Sequence, residues 1–238
     1  MKCAVRICVA LLLAWPGLAP ALDASLPLAS GETLVFDRQA ATGSKILLWV
    51  ASERGFSPNE REAARQLAER GIEVWQVDWV NALLLPPLPR SLDHIAPGDM
   101  RAITEQARAT GKQLFLYATA RAAVPVLRGL ENQQACVLLM HPNLYARADA
   151  LADADYLPFT GLNKLNILLL QPMRSAATPW ISNQMAALES ASAIVRLRKL
   201  AQLREGFWRR EDATRFESDQ GLRLADLLSQ WMDETSCN

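Results

Sequence analysis

The sequence predicts an α/β fold, a doubly wound and mostly parallel sheet with helices on both faces. Short apolar runs such as Lys45–Val50 and Ala135–Met140 lack polar alternation, which is typical of strands buried on both faces. Segments with apolar residues at helical spacing lie between these runs. Strand and helix alternate about six times, which is the pattern of a parallel sheet covered on both sides.

The first elements follow from local signals. Residues 22–31 are expected to form an irregular lead-in, and Thr33–Phe36 a short strand at a sheet edge. Ser57–Glu60 combines an N-cap serine, a proline at the first helical position and a glutamate three residues after the cap, which predicts a helix start. Gly71 ends that helix, and Ile72–Asp78 forms the next strand.

The central part of the chain contains the element around which the others are arranged. Asn81–Pro97 is rich in proline and is expected to be irregular, and Asp99 is expected to cap a helix over Met100–Ala109. Gln113–Tyr117 is the predicted central strand, and a helix follows over Ala122–Leu130.

The second half repeats the alternation. His141–Asn163 is a long connection that could cover the top of the sheet as a lid. Leu165–Gln171 and Ala193–Leu197 are predicted strands, with a helix over Thr178–Ser190 between them. Thr214–Glu217 has the pattern of a capping box and predicts the start of a final helix.

Residues 1–21 have the features of a secretory signal peptide. A charged start precedes the apolar run Ile7–Trp15, and Ala19–Ala21 forms a small-x-small cleavage site. Cleavage after Ala21 would place the protein in the periplasm or outside the cell, with 22–238 as a single domain. An uncleaved N-terminal anchor is the alternative.

Composition excludes several classes of function. The chain has 25 basic and 25 acidic side chains, so nothing indicates a nucleic-acid partner, and no later apolar run reaches transmembrane length. There is no C-x-x-C motif, so the chain is not itself a dithiol oxidoreductase, and pairing of Cys136 with Cys237 stays open. No nucleotide-binding glycine motif occurs and the two histidines are far apart, so neither cofactor nor metal is predicted.

The turn after the central strand is the first place to search for chemistry, because ligands of doubly wound sheets bind beyond the carboxyl ends of the strands. A nucleophile elbow has the pattern G-x-S-x-G at such a turn. Here the two glycine positions of the pattern hold alanine, which is also small, but alanine stands at the serine position as well, so a degenerate elbow is predicted. Its residues are Ala118, Thr119, Ala120, Arg121 and Ala122.

The partners of a catalytic triad are also missing from their expected order. His94 lies in the proline-rich segment and His141 ends a middle strand, whereas the base of such an enzyme follows the last strand. The corresponding loop, Gly206–Arg210, has no histidine, and Gln171 occupies the acid position. No catalytic residue is therefore assigned from the sequence.

Other polar residues at strand ends could still line a pocket. These candidates are Ser52, Arg54, Asp78, His141 and Ser175. Arg121 at a helix start could bind a carboxylate or phosphate together with Arg54. The structural alternatives are a helix cap for Asp78, a backbone hydrogen bond for His141 and an ion pair for Arg121.

The segments KILLWVASERGF and REAARQLAERGIEVWQVDW resemble the first half of an α/β-hydrolase, with ASERGF at the position of the oxyanion-hole loop. More narrowly, LLWVASERGF, HPNLY, YLPFTGLNKLNILLLQP and LREGFWRREDAT resemble the degenerate hydrolase-like region that precedes a thioredoxin-like domain in some exported bacterial proteins. The resemblance covers most of residues 33–232 and implies an α/β-hydrolase-like fold.

Together these observations predict an exported, non-catalytic protein that binds an unknown small molecule or a periplasmic protein. The first alternative is an active serine hydrolase or esterase with a displaced triad, which would use Ser52 or Ser175 with His141. The second alternative is an accessory to a periplasmic thiol-disulfide protein, which only the resemblance implies.

Overall fold

A computed structural model describes residues 22–147 and 154–235. The strands are β1 (Leu22–Pro27), β2 (Thr33–Gln39), β3 (Lys45–Val50), β4 (Ile72–Val77), β5 (Gln113–Thr119), β6 (Ala135–Met140), β7 (Tyr145–Arg147), β8 (Asp155–Tyr156), β9 (Leu165–Pro172) and β10 (Ile194–Leu200). The α-helices are α1 (Pro58–Glu69), α2 (Trp79–Ala82), α3 (Pro97–Arg108), α4 (Ala123–Gly129), α5 (Ile181–Ser190), α6 (Arg215–Leu222) and α7 (Leu224–Glu234).

The main sheet confirms the predicted fold class. Within the described ranges, eight strands pair in the order β1-β2-β4-β3-β5-β6-β9-β10. The six strands from β4 to β10 are parallel, whereas β2 is antiparallel to β4 and β1 is antiparallel to β2. Parallel strands require crossover connections, and these connections bring the helices onto both faces of the sheet.

Five of the parallel strands, β3, β4, β5, β6 and β9, each supply side chains to two separate cores. On β3, Ile46, Leu48 and Val50 pack with helices α2 to α5, whereas Leu47 and Trp49 pack with α1 and α7. Successive side chains of a strand point to opposite faces, so a strand covered on both sides must be apolar throughout. This is why Lys45–Val50 was recognisable as a buried strand.

The two predicted capping boxes are present. Ser57 Oγ accepts a hydrogen bond from Glu60 N, and Glu60 Oε2 accepts one from Ser57 N at 2.7 Å, so α1 begins where expected. Thr214 and Glu217 form the same arrangement at the start of α6. The predicted final helix is nevertheless two helices, because α6 ends at Leu222 and α7 begins at Leu224.

Several local predictions are wrong. The lead-in over 22–31 contains β1, so β2 is not at the edge of the sheet. Asp99 does not cap α3 but lies in its first turn, and its Oδ1 accepts a hydrogen bond from Ala29 N at 3.2 Å. The segment Asn81–Pro97 is partly regular, with the end of α2 and a 3₁₀ turn at Pro89–His94.

The connection after β6 forms a small second sheet, in which β7 and β8 pair antiparallel; residues 148–153 are outside the described ranges. The predicted signal peptide, residues 1–21, also lies outside them. Cys136 is disulfide-bonded, and the possible partner Cys237 is not among the described residues. Within the described ranges, no helix has the length and apolar character needed to cross a bilayer.

Candidate functional site

The turn after β5 has the shape of a nucleophile elbow with alanine at its tip. Ala120 has a φ of 50°, in the left-handed region that residues with a Cβ seldom adopt, and a 3₁₀ turn over Ala120–Ala122 leads into α4. The carbonyl of Ala120 accepts a hydrogen bond from Asn143 N at 3.0 Å. Ala118 and Ala122 are fully buried, so a larger side chain at either position would have to displace packed neighbours.

A cleft of about 700 Å³ opens above this turn, at the carboxyl ends of the parallel strands. Residues from five strand ends line it, including Ser52, Glu53, Arg54, Thr119, Ala120, His141, Arg174, Ser175, Glu205, Trp208 and Arg209. Four of the five candidate pocket residues therefore share one cleft. The fifth, Asp78, lies in a neighbouring depression with Arg54, and its Oδ1 caps α2 by accepting a hydrogen bond from Asn81 N at 3.0 Å.

Ser175, Glu205 and His141 form a polar cluster in the cleft. Ser175 Oγ donates a hydrogen bond to Glu205 Oε2 at 3.1 Å. The other carboxylate oxygen, Glu205 Oε1, lies 3.5 Å from His141 Nδ1. Glu205 is thus the central member of the cluster, with the hydroxyl on one oxygen and the imidazole beside the other.

Sheet order explains why these three residues meet. His141, Ser175 and Glu205 follow β6, β9 and β10, which are adjacent in the sheet. His141 N bonds to Leu170 O at 2.9 Å, and Arg174 N bonds to Leu203 O at 3.0 Å, so the three strand ends are joined through their backbones. The Ser175 hydroxyl is oriented further by accepting a hydrogen bond from Ala177 N at 3.2 Å.

His141 is held neutral. Burial lowers the pKa of His141 to about 4, and the nearby Glu205 carboxylate offsets only part of that effect. Its ring stacks on Trp208 with centroids 5.8 Å apart, and neither ring nitrogen has a hydrogen-bond partner among the described residues. At neutral pH the imidazole is therefore uncharged, with one nitrogen that carries a proton and one that can accept a hydrogen bond.

The loop that carries Glu205 is fixed on both sides. Glu217, which is fully buried, accepts hydrogen bonds from Arg204 N and Nε, each at 2.9 Å, and from Arg204 Nη2 at 2.6 Å. Arg209 Nη2 donates to Glu60 Oε2 and to Gly55 O, each at 2.6 Å. These contacts tie the loop to α6 and to the start of α1.

Arg121 does not serve the cleft as an anion binder. Its guanidinium forms a two-pronged ion pair with Asp93, with Nε–Oδ1 at 2.6 Å and Nη2–Oδ2 at 2.5 Å, and its Nη1 donates to Tyr145 O at 2.5 Å. The ion pair, which was the structural alternative to anion binding for Arg121, is therefore what the structure shows. Arg121 joins the proline-rich segment to the chain that leaves β6.

Glu205 and Trp208 were missed by the sequence reasoning. The predicted position of the base was Gly206–Arg210, which contains no histidine, and Glu205 immediately precedes this loop. A carboxylate at that position was the available signal. Gln171, at the expected acid position, is buried, and its amide donates to Pro172 O and Thr178 Oγ1. His94 is exposed and does not line the cleft.

No group of three or more histidine, cysteine, aspartate or glutamate side chains among residues 22–147 and 154–235 is arranged to hold a metal ion.

Comparison with known proteins identifies the fold through structure alone. No family model and no curated protein sequence matches the chain. A protein named as a dienelactone hydrolase from Klebsiella pneumoniae superposes with a TM-score of 0.64 at 15% identity over 88% of this chain and 98% of that one. A thermophilic esterase from Thermogutta terrifontis gives a TM-score of 0.59 at 11% identity over 93% and 95% of the two chains. The esterase domain of a Rhodothermus marinus protein gives 0.60 at 14% identity over 91% and 99%.

These likenesses correct the functional prediction. The chain was predicted to be a non-catalytic binding protein, and that prediction is corrected because the structures it resembles are named as a hydrolase and esterases. None of the three names mentions a thioredoxin-like domain, so that part of the resemblance stays a prediction. The sheet order, the elbow after β5 and the structural neighbours together give this chain the α/β-hydrolase fold.

Proposed function

We propose that this protein is an ester hydrolase with a displaced catalytic group, in which Ser175 is the nucleophile and Glu205 its base. The observation that carries the proposal is the 3.1 Å hydrogen bond from Ser175 Oγ to Glu205 Oε2 inside the cleft. A hydroxyl becomes a nucleophile when an adjacent base can take its proton, and this pair has that contact.

The reaction would proceed through an acyl-enzyme. As Ser175 Oγ bonds to the ester carbonyl carbon, its proton passes to Glu205 Oε2, and the carbonyl electrons move onto oxygen. Collapse of the tetrahedral intermediate breaks the bond to the leaving alcohol, which takes the proton from Glu205. Water then attacks the acyl group by the same route and releases the acid.

His141 would position the base. Its neutral ring lies beside the Glu205 oxygen that Ser175 does not use, at 3.5 Å, and stacking on Trp208 limits its movement. A hydrogen bond from Nδ1 to Oε1, formed when substrate fills the cleft, would hold Oε2 toward the hydroxyl. The N–H groups at the start of the Ala120–Ala122 turn and the exposed Arg174 are available to a developing oxyanion.

Ser52 is the weaker nucleophile candidate, although it lines the same cleft. Its Oγ accepts a hydrogen bond from Arg54 N at 3.4 Å, and no carboxylate or imidazole among the described residues is bonded to it. Ser175 is therefore preferred. Ala120, at the elbow tip, has no hydroxyl and would only shape the floor of the cleft.

Fluorophosphonate labelling and turnover of short-chain p-nitrophenyl esters test the proposal. Wild type should be labelled and should turn over; Ser175→Ala should lose both, and Glu205→Gln should lose about 10²-fold or more in rate. Ser52→Ala is the matched control in the same cleft and should retain activity. Wild type that is neither labelled nor active would contradict the proposal, and loss in Ser52→Ala alone would move the nucleophile to Ser52.

We also propose that the chain is exported, with cleavage after Ala21, on the strength of its N-terminal sequence. N-terminal sequencing of the protein recovered from the extracytoplasmic fraction should begin at Leu22. Recovery with Met1 retained would contradict cleavage.

A further inference from the structure

An exposed apolar loop lies between α2 and the 3₁₀ turn at Pro89–His94. The loop, Leu84–Pro89, has the sequence LLPPLP, and two of its leucines are exposed, Leu84 at 89% and Leu88 at 59% of their full surface. Its three prolines are exposed as well. An apolar cluster of this kind on a protein surface indicates contact with another surface.

The loop is held on a fixed base. Leu83 and Leu85, on either side of Leu84, pack against the core. Leu85 N bonds to Val80 O at 2.8 Å, and Ser91 N bonds to Leu88 O at 3.0 Å. The exposed leucines are therefore presented by ordered backbone, which lowers the conformational cost of binding.

Leu84 also occupies a backbone conformation that does not suit leucine. Its φ is 51°, in the left-handed region where glycine or asparagine would be under less strain. A leucine there is both strained and exposed, and its side chain gains almost no burial in the fold.

Positive charge borders the apolar loop. A depression of about 420 Å³ beside Leu88 and Pro89 is lined by Arg90, Arg121 and Arg147. The ion pair with Asp93 balances the charge of Arg121, whereas Arg90 is exposed and forms no ion pair within the described residues. Arg147 pairs with Asp155 at 3.5 Å but keeps 73% of its side chain exposed. On the other side, the depression that Leu84 shares with Arg54 and Arg61 is also lined by Glu53 and Asp78, so the positive charge lies on the Leu88 side of the loop.

We propose that the loop Leu84–Pro89 docks onto an anionic lipid surface. Apolar side chains inserted at the headgroup level and flanking arginines that meet anionic headgroups are the two contributions that hold a peripheral protein on such a surface. In the depression next to Leu88, the exposed guanidinium groups of Arg90 and Arg147 would meet a lipid phosphate. Glu53 and Arg54 line both the cleft and the depression beside Leu84, so docking would bring the cleft close to the lipid. The proposal does not depend on hydrolase activity.

Co-sedimentation of the full chain with vesicles tests this surface. Vesicles of equal parts phosphatidylcholine and phosphatidylglycerol should bind the protein, pure phosphatidylcholine should bind it much less, and added salt should weaken binding. Leu84→Asp combined with Leu88→Asp should lower the partition coefficient about tenfold or more, and Arg90→Glu should lower it severalfold. Leu222→Asp is the matched control, because Leu222 is 66% exposed on α6 and should not matter.

Leu84→Asn separates docking from folding. Asparagine tolerates the left-handed conformation, so this variant should be at least as stable as wild type and should still bind vesicles less tightly. Absence of wild-type binding to anionic vesicles, or equal binding by the double aspartate variant, would overturn the proposal. Self-association that is lost in Leu84→Asn without any vesicle binding would assign the surface to a second copy of the chain and overturn the lipid proposal.

Discussion

Replacing Glu217 by glutamine is expected to destabilise the protein by about 3 kcal/mol, because its carboxylate is fully buried and pairs with the Arg204 guanidinium. Arg204 N and Nε bond to Oε1, while Arg204 Nη2 and Thr214 N bond to Oε2. A glutamine amide can present one acceptor oxygen, so its NH₂ group would face donors and leave them unpaired. The guanidinium would also lose its buried partner.

The assay is urea denaturation at pH 7, with thermal melting as a second measurement. A loss of about 3 kcal/mol should lower the melting temperature by roughly 6–12 °C in a chain of this size. Glu62→Gln is the control. Arg65 hydrogen bonds lower the pKa of Glu62 to about 2, yet 47% of the Glu62 side chain is exposed. An exposed pair contributes about 0–1 kcal/mol, so this variant should change stability little.

The pH dependence gives a second criterion. Hydrogen bonds from Arg204 lower the pKa of Glu217 below its usual value, so its stabilising contribution is present above the unfolded pKa near 4.5 and is lost as the pH falls. Glu217→Gln should therefore lose less stability than wild type on acidification. Equal denaturation midpoints for Glu217→Gln and Glu62→Gln would refute the reasoning that burial decides the value of these ion pairs.

Two further predictions concern burial and close packing. Burial lowers the pKa of His141 to about 4. Between roughly pH 6.5 and pH 4, the unfolded chain therefore binds a proton at this residue that the native state does not bind. The stability that is present above pH 6.5 is lost as the pH falls through this range. Urea denaturation should find about 2 kcal/mol less stability at pH 5 than at pH 7 from this residue, and His141→Phe should remove that difference; an unchanged difference would contradict it. Gly43→Ala should lower the free energy of unfolding by about 1–3 kcal/mol, because the alanine Cβ would lie 2.2 Å from Gly71 O. Gly98→Ala is the control, because its Cβ would meet nothing within 4 Å. Equal melting temperatures for the two variants would contradict the close approach at Gly43.

Much of the fold could be predicted from interactions between residues that are close together in the chain. The strands Lys45–Val50 and Ala135–Met140 were predicted to the residue, because a strand covered on both faces is apolar at consecutive positions. The capping boxes at Ser57 and Thr214 mark helix starts, because they satisfy backbone N–H groups within four residues. Signals of this kind need no distant partner.

Elements that depend on distant partners were misread. β1 is a strand because its backbone pairs with β2, and neither its composition nor its spacing indicated that pairing. Asp99 is a good N-cap residue by type, but its carboxylate bonds to Ala29 N, 70 residues away in the chain. The turn at Arg223, which divides the predicted final helix into α6 and α7, was likewise not evident from apolar spacing.

The apolar pattern of the chain was enough to predict the fold class and the edge of the sheet where a site would lie. Parallel strands all end at one edge, so the polar residues that follow them gather there. A shared pocket was predicted for Ser52, Arg54, Asp78, His141 and Ser175, and all of these except Asp78 line one cleft. Which of them interact depends on the order of the strands in the folded chain. The order of β6, β9 and β10 brings Glu205 to Ser175 and His141, and the ion pair with Asp93 removes Arg121 from the cleft. Hydrogen bonds between side chains require contact within about 3 Å, and that distance is set by strand order and loop anchoring rather than by spacing along the chain.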